Sequence, residues 1–246
     1  MRAKMTDTYM IAAIVIAYMV KGLCGFANTL VFTSILSFQQ NNINISPVEV
    51  LAGYPSNVII AWKERKNLSS KIWLPLSVLV IVGCLPGIFF LKIGNAQLLK
   101  VIFGLAVVLI GLEMLLRERQ KEKKKSSPVV LAVIGMISGL LSGLFGIGAL
   151  LAAYVGRTTQ DSSSFRGNLC IVFVIENTFR IIVYELTGII TLSTVKNALY
   201  LISFMLLGLL LGMGLSKIID EKIMKKIIMV MLIISGVSLI ISNMTL

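Results

Sequence analysis

Long apolar stretches recur along the whole chain, near Tyr9–Phe38, Val48–Trp62, Ile72–Leu91, Val101–Leu116, Val129–Val155, Leu169–Leu186, Ala198–Leu215 and Ile227–Ile241, with short polar turns between them. They lack the two-residue alternation of a membrane barrel. Lipid offers no partner to an open sheet edge, so each stretch is predicted to be helical. A crossing takes about 20 mostly apolar residues; the second, fourth and eighth stretches reach that length only with their flanks, whose lysines extend to the interface. The pattern predicts an all-α polytopic membrane protein of about eight helical segments.

The most polar stretch, Arg117–Ser127 (RERQKEKKKSS), lies between the fourth and fifth segments and is followed by Pro128. On either side of it landmarks recur in the same order. Gly22-Leu23-Cys24-Gly25-Phe26-Ala27 matches Gly143-Leu144-Phe145-Gly146-Ile147-Gly148, and Asn57 matches Asn177, Gly87 matches Gly212, and Lys92 matches Lys217. Common order and spacing predict an internal duplication, with a first transmembrane repeat over 1–116, a cytoplasmic basic linker over 117–127 and a second repeat over 128–246.

Composition excludes a soluble globule: 57% of the 246 residues are hydrophobic, 14% are charged, and the mean hydropathy is +0.94. The net charge of +12 does not point to nucleic acid, because the lysines and arginines sit in short loops beside apolar segments, where they set topology. If every segment crosses once with the N-terminus inside, 13 Lys/Arg lie inside and eight outside. If the first segment of each repeat instead re-enters and the N-terminus is outside, 16 lie inside and five outside. The second arrangement fits the positive-inside rule better and makes the repeats inverted. Arg2 and Lys4 before Tyr9–Val20 imitate a signal peptide, but no small-residue cleavage site follows and the segment has a counterpart in the second repeat.

Cys24, Cys84 and Cys170 lie inside apolar stretches without paired spacing and read as small core residues. There is no histidine, which removes the commonest metal ligand. No cofactor and no metal site are expected.

The glycine clusters Gly22–Asn28 and Gly135–Gly148 interrupt the first segment of each repeat. A helix broken in lipid exposes the free N–H groups of its second half, an end that carries about half a positive charge. Two such ends meeting near the midplane would cradle an anion. For Gly135 and Gly139, small-residue helix packing is an equally good account. Gly25, Gly146 and Gly148, at matching places in the two repeats, are read as functional.

Lys21-Gly22-Leu23-Cys24-Gly25-Phe26-Ala27-Asn28-Thr29-Leu30-Val31, the run Ser142-Gly143-Leu144-Phe145-Gly146-Ile147-Gly148, the turn Trp62-Lys63-Glu64-Arg65-Lys66, and Phe165-Arg166-Gly167-Asn168 resemble the TauE/SafE family of sulfite and organosulfonate permeases. The resemblance spans about Tyr9 to Leu239. It implies a multi-pass carrier of a bacterial inner membrane for a small anion, commonly a sulfur-containing one. The chain departs from a fuller triple-glycine form after the break, having Phe26-Ala27-Asn28 and Ile147-Gly148-Ala149. Asn28 and Thr29 offer side-chain donors in place of backbone ones.

Lys21 and Arg180 lie well inside apolar stretches, where a charge costs about 3 kcal/mol on insertion scales. Arg180 follows Glu176 by one helical turn, which allows either an intrahelical ion pair or a guanidinium that faces the pathway with Asn177 beside it. The expected substrate-binding set is Lys21, Gly25, Phe26, Asn28, Thr29, Asn57, Gly146, Gly148, Asn168, Asn177 and Arg180. Glu176 is the most deeply placed coupling carboxylate, ahead of Glu49, Glu113 and Glu185. The sequence is compatible with a coupling proton or sodium and with a homo-oligomer, and specifies neither. With no phosphate-binding loop and no acid–base or metal set at depth, a secondary carrier is favoured over an enzyme. An assembly subunit and an anion channel are the remaining alternatives.

Overall fold

The computed structural model describes residues 2–24, 26–117, 128–159, 161–215, 218 and 221–244. Gly25, Lys217 and the basic linker from 118 to 127 lie outside them. Ten α-helices and no strand occur among the described residues: α1 Arg2–Cys24, α2 Asn28–Leu36, α3 Asn42–Lys63, α4 Ser70–Ile93, α5 Ala96–Arg117, α6 Pro128–Phe145, α7 Ala149–Thr158, α8 Ser162–Leu186, α9 Leu192–Leu215 and α10 Glu221–Met244. The two interrupted segments account for the step from eight stretches to ten helices. The protein is an all-helical, polytopic membrane protein.

Its surface is inverted relative to that of a soluble protein. Leu74, Val78, Val82, Leu85 and Phe89 form an exposed stripe along α4, and Val230, Ile234, Val237 and Ile241 form another along α10. These are faces for lipid tails. The buried polar residues Lys21, Glu49, Asn57, Glu176, Asn177 and Arg180 are instead inside. α4 and α9 are each long and apolar enough to cross a bilayer unaided. α3 and α8 are not, because they carry the buried polar groups and pack on each other at the centre.

Packing is reciprocal between α1–α5 and α6–α10. α4 lies along α6 as α9 lies along α1, α4 meets α8 as α9 meets α3, and α5 pairs with α10. The seams are close backbone contacts: a Cβ on Gly83, Gly87, Gly139 or Gly143 would strike the opposing backbone of the α4–α6 pair, and one on Gly22, Gly208 or Gly212 that of the α1–α9 pair. Of the two accounts of Gly139, packing therefore prevails, because its Cα faces a neighbouring helix backbone. Gly135 instead abuts the Leu79 side chain on α4.

The loops segregate to two ends. Asn168, early in α8, accepts from Ser69 N–H at 2.9 Å and donates to the Asn67 carbonyl at 3.2 Å, which ties the start of α8 to the basic α3–α4 turn. At the other end Gln97, opening α5, donates to the Asn243 carbonyl of α10 at 2.8 Å. Met10 of α1 shares a vestibule there with Asn44 and Thr191, so α1 starts at the end opposite the basic turn.

Candidate functional site

α2 folds back along α1. Tyr9 Oη donates to the Ile35 carbonyl (2.8 Å), and Asn28 Nδ2 to Tyr18 Oη (3.1 Å), so the chain re-enters toward the end from which it came. Ala27, left-handed at φ 72°, makes the turn. The first backbone bond into α2 runs from Val31 N–H to the Ala27 carbonyl, which leaves the N–H groups of Asn28, Thr29 and Leu30 without an intrahelical acceptor. α6 ends at Gly146, φ 76°. The N–H groups of Gly146 and Ile147 return to the Ser142 and Leu141 carbonyls, a left-handed helix ending that glycine adopts without penalty. α7 opens with Ala152 N–H on the Gly148 carbonyl, which frees the amides of Ala149, Leu150 and Leu151 in the same way.

The two breaks meet. A Cβ on Gly146 would stand 2.7 Å from Thr29 Cγ2 and 3.4 Å from both terminal nitrogens of Arg180. Between them lies a cavity lined by Ala27, Asn28 and Thr29 from the first break, Gly146, Gly148 and Ala149 from the second, Glu49 and Asn57 of α3, Glu176 and Asn177 of α8, and Phe26, Leu30 and Phe173. The space open to the centre of a water molecule is ≈ 30 Å³, enough for one or two waters.

Behind the wall stand two buried cations. Lys21 Nζ donates to Asn57 Oδ1 (2.7 Å) and Ser56 Oγ (2.8 Å). Arg180 Nη1 reaches Asn177 Oδ1 at 3.4 Å, while Nη2 donates to Ser46 Oγ (2.7 Å) and Tyr184 Oη (3.1 Å). Each cation engages the carbonyl oxygen of an asparagine that lines the cavity. Arg180 Nε makes no hydrogen bond, although Glu176 Oε1 lies 3.4 Å away in an ion pair. Glu176 Oε1 also accepts from Ser142 Oγ at 2.8 Å. Glu49 Oε1 accepts from Thr29 Oγ1 (2.7 Å) and Asn28 Nδ2 (2.9 Å).

Of the residues singled out in the sequence, Phe26, Asn28, Thr29, Asn57, Gly146, Gly148, Asn177 and Glu176 line one cavity. Lys21 and Arg180 do not line it: they lie behind Asn57 and Asn177, because their side chains reach neighbouring helices rather than the lumen. The ion-pair reading of Arg180 and Glu176 is the observed one. Asn168 is elsewhere. Its carbonyl and amide are used by Ser69, Asn67 and Ser164, and it staples a loop. Gly25 lies outside the described residues. Glu49, Tyr18, Ser46, Ser142, Phe173 and Tyr184 complete the site; of these, Glu49 alone carried a sequence signal, as a carboxylate flanked by apolar residues.

The two ends of the bundle are built differently. On the side of the basic turn, Phe26 packs edge-on against Phe165 (centroids 6.3 Å apart, 85° between planes). On the other side a vestibule of ≈ 430 Å³ opens, lined by neutral polar groups including Gln40, Asn44, Thr191, Ser193 and Asn197.

Comparison with curated proteins and with solved structures returns no match. The paired helix breaks, the lipid-facing surface and the polar cavity at the centre of the bundle agree with what a family comparison finds: the sulfite exporter TauE/SafE model matches residues 10–239, and the chain belongs to that family of membrane transporters.

Proposed function

We propose that the protein carries a small oxyanion across the membrane through the cavity between the two helix breaks, and that the anion is a sulfur oxyanion such as sulfite or a sulfonate. One observation carries this reading: the first turns of α2 and α7, whose leading amides have no intrahelical acceptor, line the same cavity, where Thr29 approaches Gly146. Two positive helix ends directed at one point favour negative charge. The amide donors of Asn57 and Asn177, backed by Lys21 and Arg180, add fixed hydrogen bonds of the same polarity. The description of the family supports the sulfur chemistry.

In this proposal residues 1–116 and 128–246 are inverted repeats joined by a cytoplasmic linker over 117–127, with the basic end inside a bacterial inner membrane. The reciprocal helix pairing and the concentration of Lys/Arg at one end support it. The central cavity is too small for a substituted sulfonate, so transport requires it to widen. The Phe26–Phe165 contact on the basic side and the open vestibule opposite support alternating access.

The test is counterflow of radiolabelled sulfite and methanesulfonate in proteoliposomes. Wild-type protein is expected to exchange at least one of them. Arg180→Gln and Gly146→Leu are expected to abolish exchange while the protein still elutes as a folded species in detergent. Full exchange by both variants, or none by the wild type, overturns the proposal.

A further inference from the structure

We infer that Glu49 takes a proton into the site with each anion, so that the carrier moves the anion and a proton together. The inference rests on the anion-carrier reading above and assigns its coupling group.

Four buried charged side chains surround the cavity: Lys21 and Arg180 behind its wall, Glu49 and Glu176 on it. Two of each sign balance. An anion entering the same desolvated space leaves it net negative, beside two carboxylates, in a setting where an uncompensated buried charge is strongly disfavoured. Protonating one carboxylate restores the balance, since like charges at close range are relieved by binding a proton.

Geometry selects which one. Glu176 is paired with Arg180 on its own helix, 3.4 Å away, and a proton there would strand the guanidinium. Glu49 forms no ion pair among the described residues. The neutral Asn28 and Thr29 both donate to its Oε1, and the neutral Tyr18 hydroxyl stands beside it. The titratable or charged groups around it are Tyr18 and Lys21 from α1 and Glu176 and Arg180 from α8; α2 contributes only Asn28 and Thr29. Thr29 links the two events. Its hydroxyl is on Glu49 while its methyl touches the second break at Gly146, so an anion settling between the helix ends presses on the residue that holds the carboxyl. The proton role expected of Glu176 thus passes to Glu49, and Glu176 is the fixed counter-charge of Arg180.

Methanesulfonate is the probe of choice, because it stays ionised at every accessible pH and any proton moved belongs to the protein. In proteoliposomes holding an internal pH dye, inward methanesulfonate flux by the wild type is expected to acidify the lumen. Apparent affinity is expected to fall about tenfold per pH unit on the alkaline limb. Glu49→Gln, which mimics the protonated state, is expected to lose the acidification and to give counterflow that no longer varies with pH; Glu49→Asp restores both pH responses. If Glu49→Gln does not fold, the wild-type slope and acidification decide alone. Wild-type flux with a flat pH profile and no acidification overturns the proton inference while leaving the carrier intact. Acidification that survives Glu49→Gln also overturns it. Absence of counterflow for every probe sinks the carrier reading and the inference together.

Discussion

Thr29 and Gly146 are in contact across the centre of the bundle, 117 positions apart in sequence, with the Thr29 methyl 2.7 Å from where a Cβ on Gly146 would stand. Both the contact and the positive φ of Gly146 oppose any side chain there. Gly146→Ala is expected to cost about 1–2 kcal/mol for the left-handed backbone, with a steric term added, and to depress counterflow. Thr29→Ser removes the clashing methyl but keeps the hydroxyl on Glu49. The double variant should therefore recover part of the flux lost by Gly146→Ala; a double variant as poor as the single one argues against contact between the breaks.

The Arg180–Glu176 pair predicts non-additive variants. Removing one partner of a buried pair leaves the other charge uncompensated and costs about 3–5 kcal/mol. Glu176→Gln and Arg180→Gln should each lower the thermal unfolding midpoint sharply, and the double variant should lower it by less than the two combined. Simple additivity in a double-mutant cycle contradicts the pairing.

Asn168 serves the fold rather than the substrate. Asn168→Ala deletes three side-chain hydrogen bonds to Ser69, Asn67 and Ser164 and is expected to destabilise the protein by about 1–3 kcal/mol. Anion affinity, measured by isothermal calorimetry on the folded fraction, should stay within about twofold. A selective loss of binding would return Asn168 to the site.

Asp161 caps α8, its carboxylate accepting from Ser164 N–H (2.8 Å) and Ser164 Oγ (2.7 Å). Those bonds, the backbone one foremost, hold its carboxyl below the ordinary range. A depressed acid contributes stability above its unfolded value, about 3.9, and loses it as pH falls through the lower folded value. The gap in unfolding midpoint between wild type and Asp161→Ala should thus be full near neutral pH and close below about pH 4. A gap unchanged across that range would mean the carboxylate's charge plays no part.

Phe165 is the partner in the aromatic contact beside the basic turn that does not line the cavity. Phe165→Ala should weaken closure on the basic side and raise uncoupled anion leak in proteoliposomes without an imposed gradient. A tight variant indicates that the seal lies elsewhere.

Much of this was legible in the chain. Hydropathy locates every helix, the glycine runs locate both breaks, and the spacing of Glu176 and Arg180 locates the buried pair. The ends of the central helices were not. The apolar stretch at Val48–Trp62 is a helix from Asn42, and that at Leu169–Leu186 begins at Ser162. A hydropathy pattern assumes lipid around each helix, whereas Ser46 and Asn168 are buried among other helices, where their polar groups find partners. The distinction between groups on the cavity wall and groups behind it was also illegible. Lys21 and Asn57 are 36 positions apart and Arg180 and Ser46 are 134 apart; only the folded chain reveals that Asn57 reaches the lumen while Lys21, Arg180 and Ser46 stand behind it.

The reciprocal seams have a consequence for biosynthesis. The ribosome releases α1 long before α9, the helix whose backbone it must touch, and α4 before α6. Early helices therefore wait in the bilayer with bare glycine faces until the second half of the message has been translated. Neither half is a self-sufficient unit, and a gene cut within the basic linker should yield stable protein only when both pieces are made in the same cell.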